Sequence, residues 1–141
     1  MKVAFRADAS YKIGTGHVIR CLTLAEELRR KNVDCTFICR DHVGNTTDRI
    51  IKQKFQVLRL SNAEEFQATS CNDVAHAAWL GCDWEMDAAQ TKKCLEEIQP
   101  DWLIADHYAL DYRWEQYLSN NYKRLMAVSY THLTLPTICS V

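Results

Sequence analysis

Phe5-Arg6-Ala7-Asp8-Ala9-Ser10-Tyr11-Lys12-Ile13-Gly14-Thr15-Gly16-His17-Val18-Ile19-Arg20 runs from a hydrophobic strand through a glycine-containing loop into a helix. Glycine lets backbone approach a ligand closely, and the unsatisfied N–H groups of a helix start attract phosphate. A histidine at the helix opening can exchange a proton near neutral pH while standing beside a bound anion. The stretch points to a phosphorylated or nucleotide-linked substrate undergoing acid/base chemistry. Its plainer alternative is a helix start with a solvated His17.

Outward from this stretch, strands and helices alternate. Residues 2–6 form an apolar strand, and 16–31 form a helix with Val18, Leu22, Ala25 and Leu28 along one side. Asn32 stops that helix, and Cys35-Thr36-Phe37-Ile38-Cys39 is the second strand. A short helix over 47–54 and a strand over 57–60 follow. The pattern weakens over 61–82, with a short helix at 63–68 and a loop ending in Ala77-Ala78-Trp79-Leu80-Gly81. A helix over 87–98 carries Ala88, Thr91, Leu95 and Ile98 on one side and is closed by Pro100. Trp102-Leu103-Ile104-Ala105 is a strand, Asp106-His107-Tyr108 a polar turn, 112–118 a helix and 124–128 a final strand. This order gives an α/β fold, a mostly parallel sheet with helices on both faces. Ligands of such sheets bind at the carboxyl ends of the strands, where both the Gly14–His17 loop and the Asp106 turn fall.

The bulk properties narrow the function classes. The chain has 141 residues, enough for one domain with a core, and is 48% hydrophobic and 25% charged, a globular composition. A formal net charge of −1 gives no support for a nucleic-acid partner. No run approaches the roughly 20 apolar residues that cross a bilayer, so no membrane partner is expected. The N-terminus lacks a signal-peptide layout, and a cytoplasmic setting fits. The seven cysteines form no C-x-x-C pair, and Cys35 and Cys39 share one strand face without chelating spacing. They are expected to be small, reduced, buried thiols, with no structural metal site.

Gly14-Thr15-Gly16 is not the dinucleotide fingerprint, because Ile19 stands in the third glycine's place, and it lacks a P-loop lysine. No cofactor is expected. Arg20, one turn after His17, could meet a phosphate or carboxylate, or make an ordinary salt bridge. Asp8 could orient the loop or a proton acceptor, or simply cap a turn. Asp106 could hold an imidazole in one tautomer, and Tyr108 offers a stacking surface and a hydroxyl. His42 and His76 have no matching context and are expected to be surface or structural. Ser10 lacks nucleophile-elbow surroundings, and Trp79, Trp84, Trp102 and Trp114 are expected to pack rather than stack sugars.

Phe5–Ser10 together with Ile13-Gly14-Thr15-Gly16-His17-Val18-Ile19-Arg20-Cys21-Leu22-Thr23-Leu24-Ala25 closely resembles the start of the UDP-2,4-diacetamido-2,4,6-trideoxy-β-L-altropyranose hydrolases of bacterial pseudaminic acid biosynthesis. Trp79-Leu80-Gly81, the helix from Asp87, and Trp102-Leu103-Ile104-Ala105-Asp106-His107-Tyr108-Ala109-Leu110-Asp111 match the same family in the same order. The resemblance covers about residues 1–127. It implies a Rossmann-like N-terminal domain of a glycosyltransferase-B-like (MurG-like) architecture, whose cleft lies between two such domains. His17 then matches the base that activates water for attack at the anomeric carbon, releasing UDP and free sugar. Tyr108 matches a tyrosine bordering the sugar, Gly14 and Gly16 shape the loop, and Asp8, Arg20 and Asp106 are further substrate-site candidates. The resemblance implies no metal.

Residues 128–141 look foreign: Tyr130–Thr137 follows neither helical nor strand logic, and Val-Ser-Tyr-Thr-His-Leu-Thr-Leu-Pro-Thr resembles the translation of a transposon-end adapter used in sequencing libraries. The expectation is a domain over 1–127, a non-native tail over 128–141, and an absent C-terminal nucleotide-binding domain. Most uridine-diphosphate recognition in the family belongs to that second domain, so this polypeptide is expected to be inactive or weak by itself. A glycosyltransferase-like enzyme and a non-catalytic nucleotide-sugar-binding module are the alternative readings.

Overall fold

The computed structural model describes residues 1–9, 14–42, 47–61, 83–107 and 109–129. The described elements alternate: β1 (Lys2–Ala7), α1 (Gly16–Arg30), β2 (Asp34–Arg40), α2 (Thr47–Lys52), β3 (Gln56–Leu60), α3 (Trp84–Ile98), β4 (Trp102–Asp106), α4 (Tyr112–Tyr117) and β5 (Arg124–Ser129). All five strands pair in parallel, in the order β3-β2-β1-β4-β5. The Rossmann-like reading of the sheet therefore holds. The chain steps outward from β1 to β3, then returns to the other side of β1 and steps outward again. Right-handed crossovers place helices on opposite faces when the direction of travel reverses. The reversal lies between β1 and β4, where such a sheet opens a crevice at its carboxyl edge.

Strand parity sorts the two cores. Val3, Phe5 and Ala7 of β1 face α1 with Cys35, Phe37 and Cys39 of β2, and Val18, Cys21, Leu22 and Ala25 cover them. Phe5 stacks on Phe37 at 4.8 Å between ring centroids, and Phe37 meets Phe55 at 5.5 Å. On the opposite face, Ala4, Ile38, Leu103 and Ala105 pack under Ala88 and Leu95 of α3 and Trp114 and Leu118 next to them. Trp114 is fully buried, while Trp84 and Trp102 pack at the margins of the two cores, as expected of packing residues. Trp79, His76 and the 63–68 helix lie outside the described residues.

The helix ends follow local chemistry. Asn32 and Lys54 take left-handed φ values of 63° and 67° just past α1 and α2, which closes both helices. The α3 helix begins three residues before the expected Asp87, because Asp83 accepts from the Met86 amide as an N-cap. It ends at left-handed Gln99, before Pro100. β4 runs one residue past the expected Ala105, making Asp106 a strand residue instead of a turn residue. β5 continues through Ser129, two residues past Ala127, and 130–141 lie outside the described residues. Among the described residues, no helix is long and apolar enough to cross a membrane.

The face under α3 holds an unexpected group of charges. Arg6, Arg40, Asp8 and Asp87 are all 0% exposed. Arg6 and Asp8 share the β1 face with Ala4, and Arg40 shares the β2 face with Ile38. Asp87 bridges both guanidiniums, with Arg40 Nη2 at 2.7 Å and Arg6 through Nε and Nη2, and it also accepts from Trp114 Nε1 at 2.9 Å. Unpaired, each buried ion would cost several kcal/mol. Here two cations meet two anions, so the group is balanced.

Candidate active site

Parity also decides what reaches the crevice. Asp106, at the end of β4, follows Ile104 onto the α1 face, where the first turns of α1 deliver His17 and Arg20. Asp106 Oδ1 lies 2.5 Å from His17 Nδ1. Arg20 grips the same carboxylate with both arms, Nε to Oδ2 at 2.8 Å and Nη2 to Oδ1 at 2.7 Å. Asp106 is fully buried and His17 nearly so, whereas the Arg20 side chain is 52% exposed. The Cys21 thiol stands behind them, 3.9 Å from Asp106 Oδ2.

The contacts fix the histidine's proton. A carboxylate oxygen at 2.5 Å requires an N–H on Nδ1, because two lone pairs would repel at that distance. Arg20 Nη2 also lies 3.2 Å from Nδ1. That approach reflects the oxygen both groups share, since a guanidinium cannot donate to a nitrogen already bearing hydrogen. Neutral His17 therefore carries its basic lone pair on Nε2, the arrangement of a base oriented by a carboxylate. The Gly14–His17 loop and the Asp106 strand end lie at the same edge of the sheet, as expected, and His17 and Asp106 meet there. The imidazole that Asp106 holds is His17, 89 residues away, and not its neighbour His107.

The glycines differ. Gly14 has φ +82°, a conformation that a side chain strains, while Gly16 opens α1 in ordinary helical conformation. Among the described residues, nothing lies within 4 Å of a Cβ added at either position. Among the described residues, the α1 N-terminus has no side-chain cap from Thr15 and no acidic residue in its first turn. Tyr108 lies outside the described residues.

Asp8, a substrate-site candidate from the resemblance, lies on the other face of the sheet from His17. It sits on the α3 face, fully buried, and accepts five hydrogen bonds. Arg6 Nη1 donates to Oδ1 at 2.6 Å and Nη2 to Oδ2 at 3.2 Å, and the Arg40 backbone amide donates to Oδ1 at 2.7 Å. His42 Nε2 and His107 Nε2 both donate to Oδ2, each at 3.0 Å. A carboxylate offers about four lone-pair sites, so Asp8 is saturated. Burial pushes its carboxyl up, but Arg6 and the two imidazoles outweigh burial and hold it well below the usual carboxylate range. Asp8 thus ties the ends of β1, β2 and β4 together, and it bears on the crevice through those strand ends.

His42 is buried against Asp8, which removes the surface half of its expectation. Sequence reasoning missed its partnership, and missed His107 as a partner of Asp8. The available signal was that Asp8, His42 and His107 each follow the end of a strand in a parallel sheet.

No protein-family model matches the chain, and no curated protein matches it.

Asp8, His42 and His107 also place three possible metal-ligand atoms within 4.8 Å of one another. The tautomer decides against a metal. The Ala109 amide donates to His107 Nδ1 at 3.0 Å, so neutral His107 must carry its proton on Nε2. A metal-binding Nε2 needs the opposite tautomer, with Nδ1–H donating outward. The buried cysteines are equally unsuited to ligation or attack. Burial pushes the Cys39 thiol up to about 12 and the Cys35 thiol up to about 11, and it drives Cys21 still higher, with Asp106 adding to the effect.

Proposed function

We propose that the chain carries the catalytic half-site of a cytoplasmic nucleotide-sugar hydrolase acting on a UDP-linked 2,4-diacetamido-2,4,6-trideoxy sugar. The observation that carries the reading is the His17–Asp106 pair, set in the first turns of α1 at the carboxyl ends of β1 and β4. The resemblance of the 5–25 and 102–111 blocks supplies the substrate class. In this reading Asp106 keeps Nδ1–H turned inward, and His17 Nε2 takes a proton from water. The water oxygen bonds to the anomeric carbon as the bond from that carbon to the diphosphate oxygen breaks. UDP leaves with the electron pair, and the proton passes from His17 to solvent. The diphosphate is a good leaving group, so the protein's work is positioning, proton removal and stabilising the departing charge. Arg20 anchors the base's carboxylate, with no direct substrate contact required of it. A glycosyltransferase-B-like second domain would complete the cleft and hold the uridine diphosphate.

The test is UDP release from the diacetamido sugar nucleotide. It is measured for this chain and for the polypeptide encoded when the source locus is read past the codon for Ala127. His17→Ala should lower turnover by about 10²–10⁴-fold, the usual contribution of a general base. Release that survives His17→Ala refutes the assignment. Product that forms only when an alcohol is added transfers the reading to a glycosyltransferase. Substrate binding without turnover in the locus-restored protein transfers it to a binding module.

A further inference from the structure

The α3 side of the crevice contains a second Asp–His arrangement that the proposed chemistry does not use. Its members come from three strand ends: Asp8 after β1, His42 after β2 and His107 directly after β4. Both imidazoles donate to one oxygen, Asp8 Oδ2. His107 is also held from behind by the Ala109 amide on Nδ1. The ring therefore works as a spacer of fixed polarity. One nitrogen must donate forward across the β1–β4 crevice, and the other must accept from its own turn.

We propose that His107 is a positioning residue for the carboxyl edge of the crevice, acting as a proton-sensitive clamp. While neutral, it ties the Ala109 amide to Asp8; when protonated, it releases that amide. The stereochemistry is direct. Protonation puts a hydrogen on Nδ1, and that hydrogen faces the Ala109 N–H at 3.0 Å. An acceptor becomes a donor, two donors oppose each other, and one side must swing away. The forward bond to Asp8 survives protonation, so the ring stays anchored and the Ala109 amide is the part that moves.

The surrounding charges resist that protonation over a defined range. Facing His107 from β1 are Asp8 and Arg6, and Asp87 stands behind them on α3. His42 and Arg40 reach the same carboxylates from the β2 side. Asp106, its chain neighbour, points to the other face and is engaged with His17 and Arg20. Burial lowers the His107 pKa first, Asp8 pulls it back up, and Arg6 adds to the lowering, leaving it below the usual histidine value. The folded state therefore prefers neutral His107. The clamp is fully closed above the ordinary histidine pKa and opens as pH falls below it towards the depressed folded value.

This bears on the proposed hydrolysis because the turn adjoins Asp106, the orienter of His17; that consequence rests on the hydrolase reading. The test does not, because it needs no turnover. In the ¹⁵N-labelled 141-residue chain, long-range ¹H–¹⁵N correlations report which ring nitrogen of His107 is protonated. Amide spectra follow Ala109 from about pH 8 to pH 5, spanning the histidine range. The expected result is the Nε2–H tautomer at the upper pH and an Ala109 amide that titrates with the His107 ring. Its exchange protection should fall by up to about tenfold per pH unit between the ordinary histidine pKa and that midpoint, as one coupled proton requires. In His107→Asn the side-chain oxygen can replace Nδ1 as acceptor and takes up no proton, so Ala109 should keep its bond and lose its pH response. An Nδ1–H tautomer at high pH, or an Ala109 amide indifferent to the ring's titration, overturns the proposal. Stoichiometric Zn²⁺ binding that shifts the His42 and His107 rings also overturns it, by making the cluster a metal centre. Should His107→Asn fail to fold, the wild-type titration decides alone. His17→Ala should leave the whole response unchanged, which separates this result from the fate of the hydrolase reading.

Discussion

Replacing Asp87 with asparagine isolates the charge that balances the α3 face. The side chain is fully buried and nearly isosteric with asparagine, so little volume changes. Two guanidiniums lose their shared anion, leaving Asp8 alone against Arg6 and Arg40. One half of the new amide is also a donor, and it faces donors from Arg6, Arg40, Thr91 and Trp114. Breaking a buried pair by removing one partner costs about 3–5 kcal/mol. Against a total stability of about 5–15 kcal/mol, that is a fifth or more of what holds the domain together. At about 4 °C per kcal/mol for a chain of this size, the melting temperature should drop by roughly 12–20 °C. Urea unfolding followed by tryptophan fluorescence measures it, with Trp114 as a reporter in direct contact with the altered side chain. Glu97→Gln, on the exposed side of the same helix, is the control and should stay within about 0.5 kcal/mol of the parent. Adding Arg40→Met to Asp87→Asn should recover part of the loss, because it removes the surplus cation. An Asp87→Asn protein within about 1 kcal/mol of the parent, or a double variant simply worse than the single, would refute the charge-balance account.

Other outcomes follow from the same geometry. Asp106→Asn should leave the fold intact but cost about 10²–10⁴-fold in UDP release, because an amide no longer enforces the Nδ1–H tautomer of His17; steady-state kinetics read it. Gly14→Ala should destabilise by roughly 1–2 kcal/mol through its φ of +82°, whereas Gly16→Ala should be neutral in a melting assay. Loss of UDP release in Gly16→Ala without loss of stability would show that the open space there belongs to the ligand. Asp83→Ala should cost about 1 kcal/mol by uncapping α3, measured by urea denaturation. In acid, the depressed Asp8 and Asp87 carboxyls give stability that is complete above the ordinary carboxylate pKa and is lost as pH falls through their folded values. A stability curve that stays flat from about pH 5 to pH 2 would contradict this.

The backbone plan was legible because hydrophobic period and end signals agree along most of the chain. Val18, Leu22 and Ala25 are buried on α1 as their spacing indicates, and Asn32 and Pro100 stand where the helices close. Asp83 was missed because an N-cap is one residue without periodicity, and the apolar stripe of α3 starts only at Ala88. At the site, the meeting of the Gly14–His17 loop with the Asp106 strand end followed from parallel topology alone. The pairing did not. Asp8 and Asp106 both end strands and both have histidines within reach, and only strand parity assigns His17 to one and His107 to the other. The buried arginines were least visible. Arg6 interrupts an apolar strand, but nothing in β1 says that its counter-ion comes from a helix 81 residues later.

That separation sets an order of events during synthesis. The central strand β1 carries Arg6 into the core at the very start of the chain, and β2 brings Arg40 soon after. Both cations need Asp87, and Asp8 needs His107, 99 residues downstream of it. At about 5–20 residues per second, a ribosome delivers Asp87 roughly 4–16 s after Arg6. In that interval the β1-α1-β2 segment can collapse its α1 face, but closing the other would bury two guanidiniums against Asp8 alone. The α3 face of β1 and β2 therefore reaches charge balance only when α3 supplies Asp87.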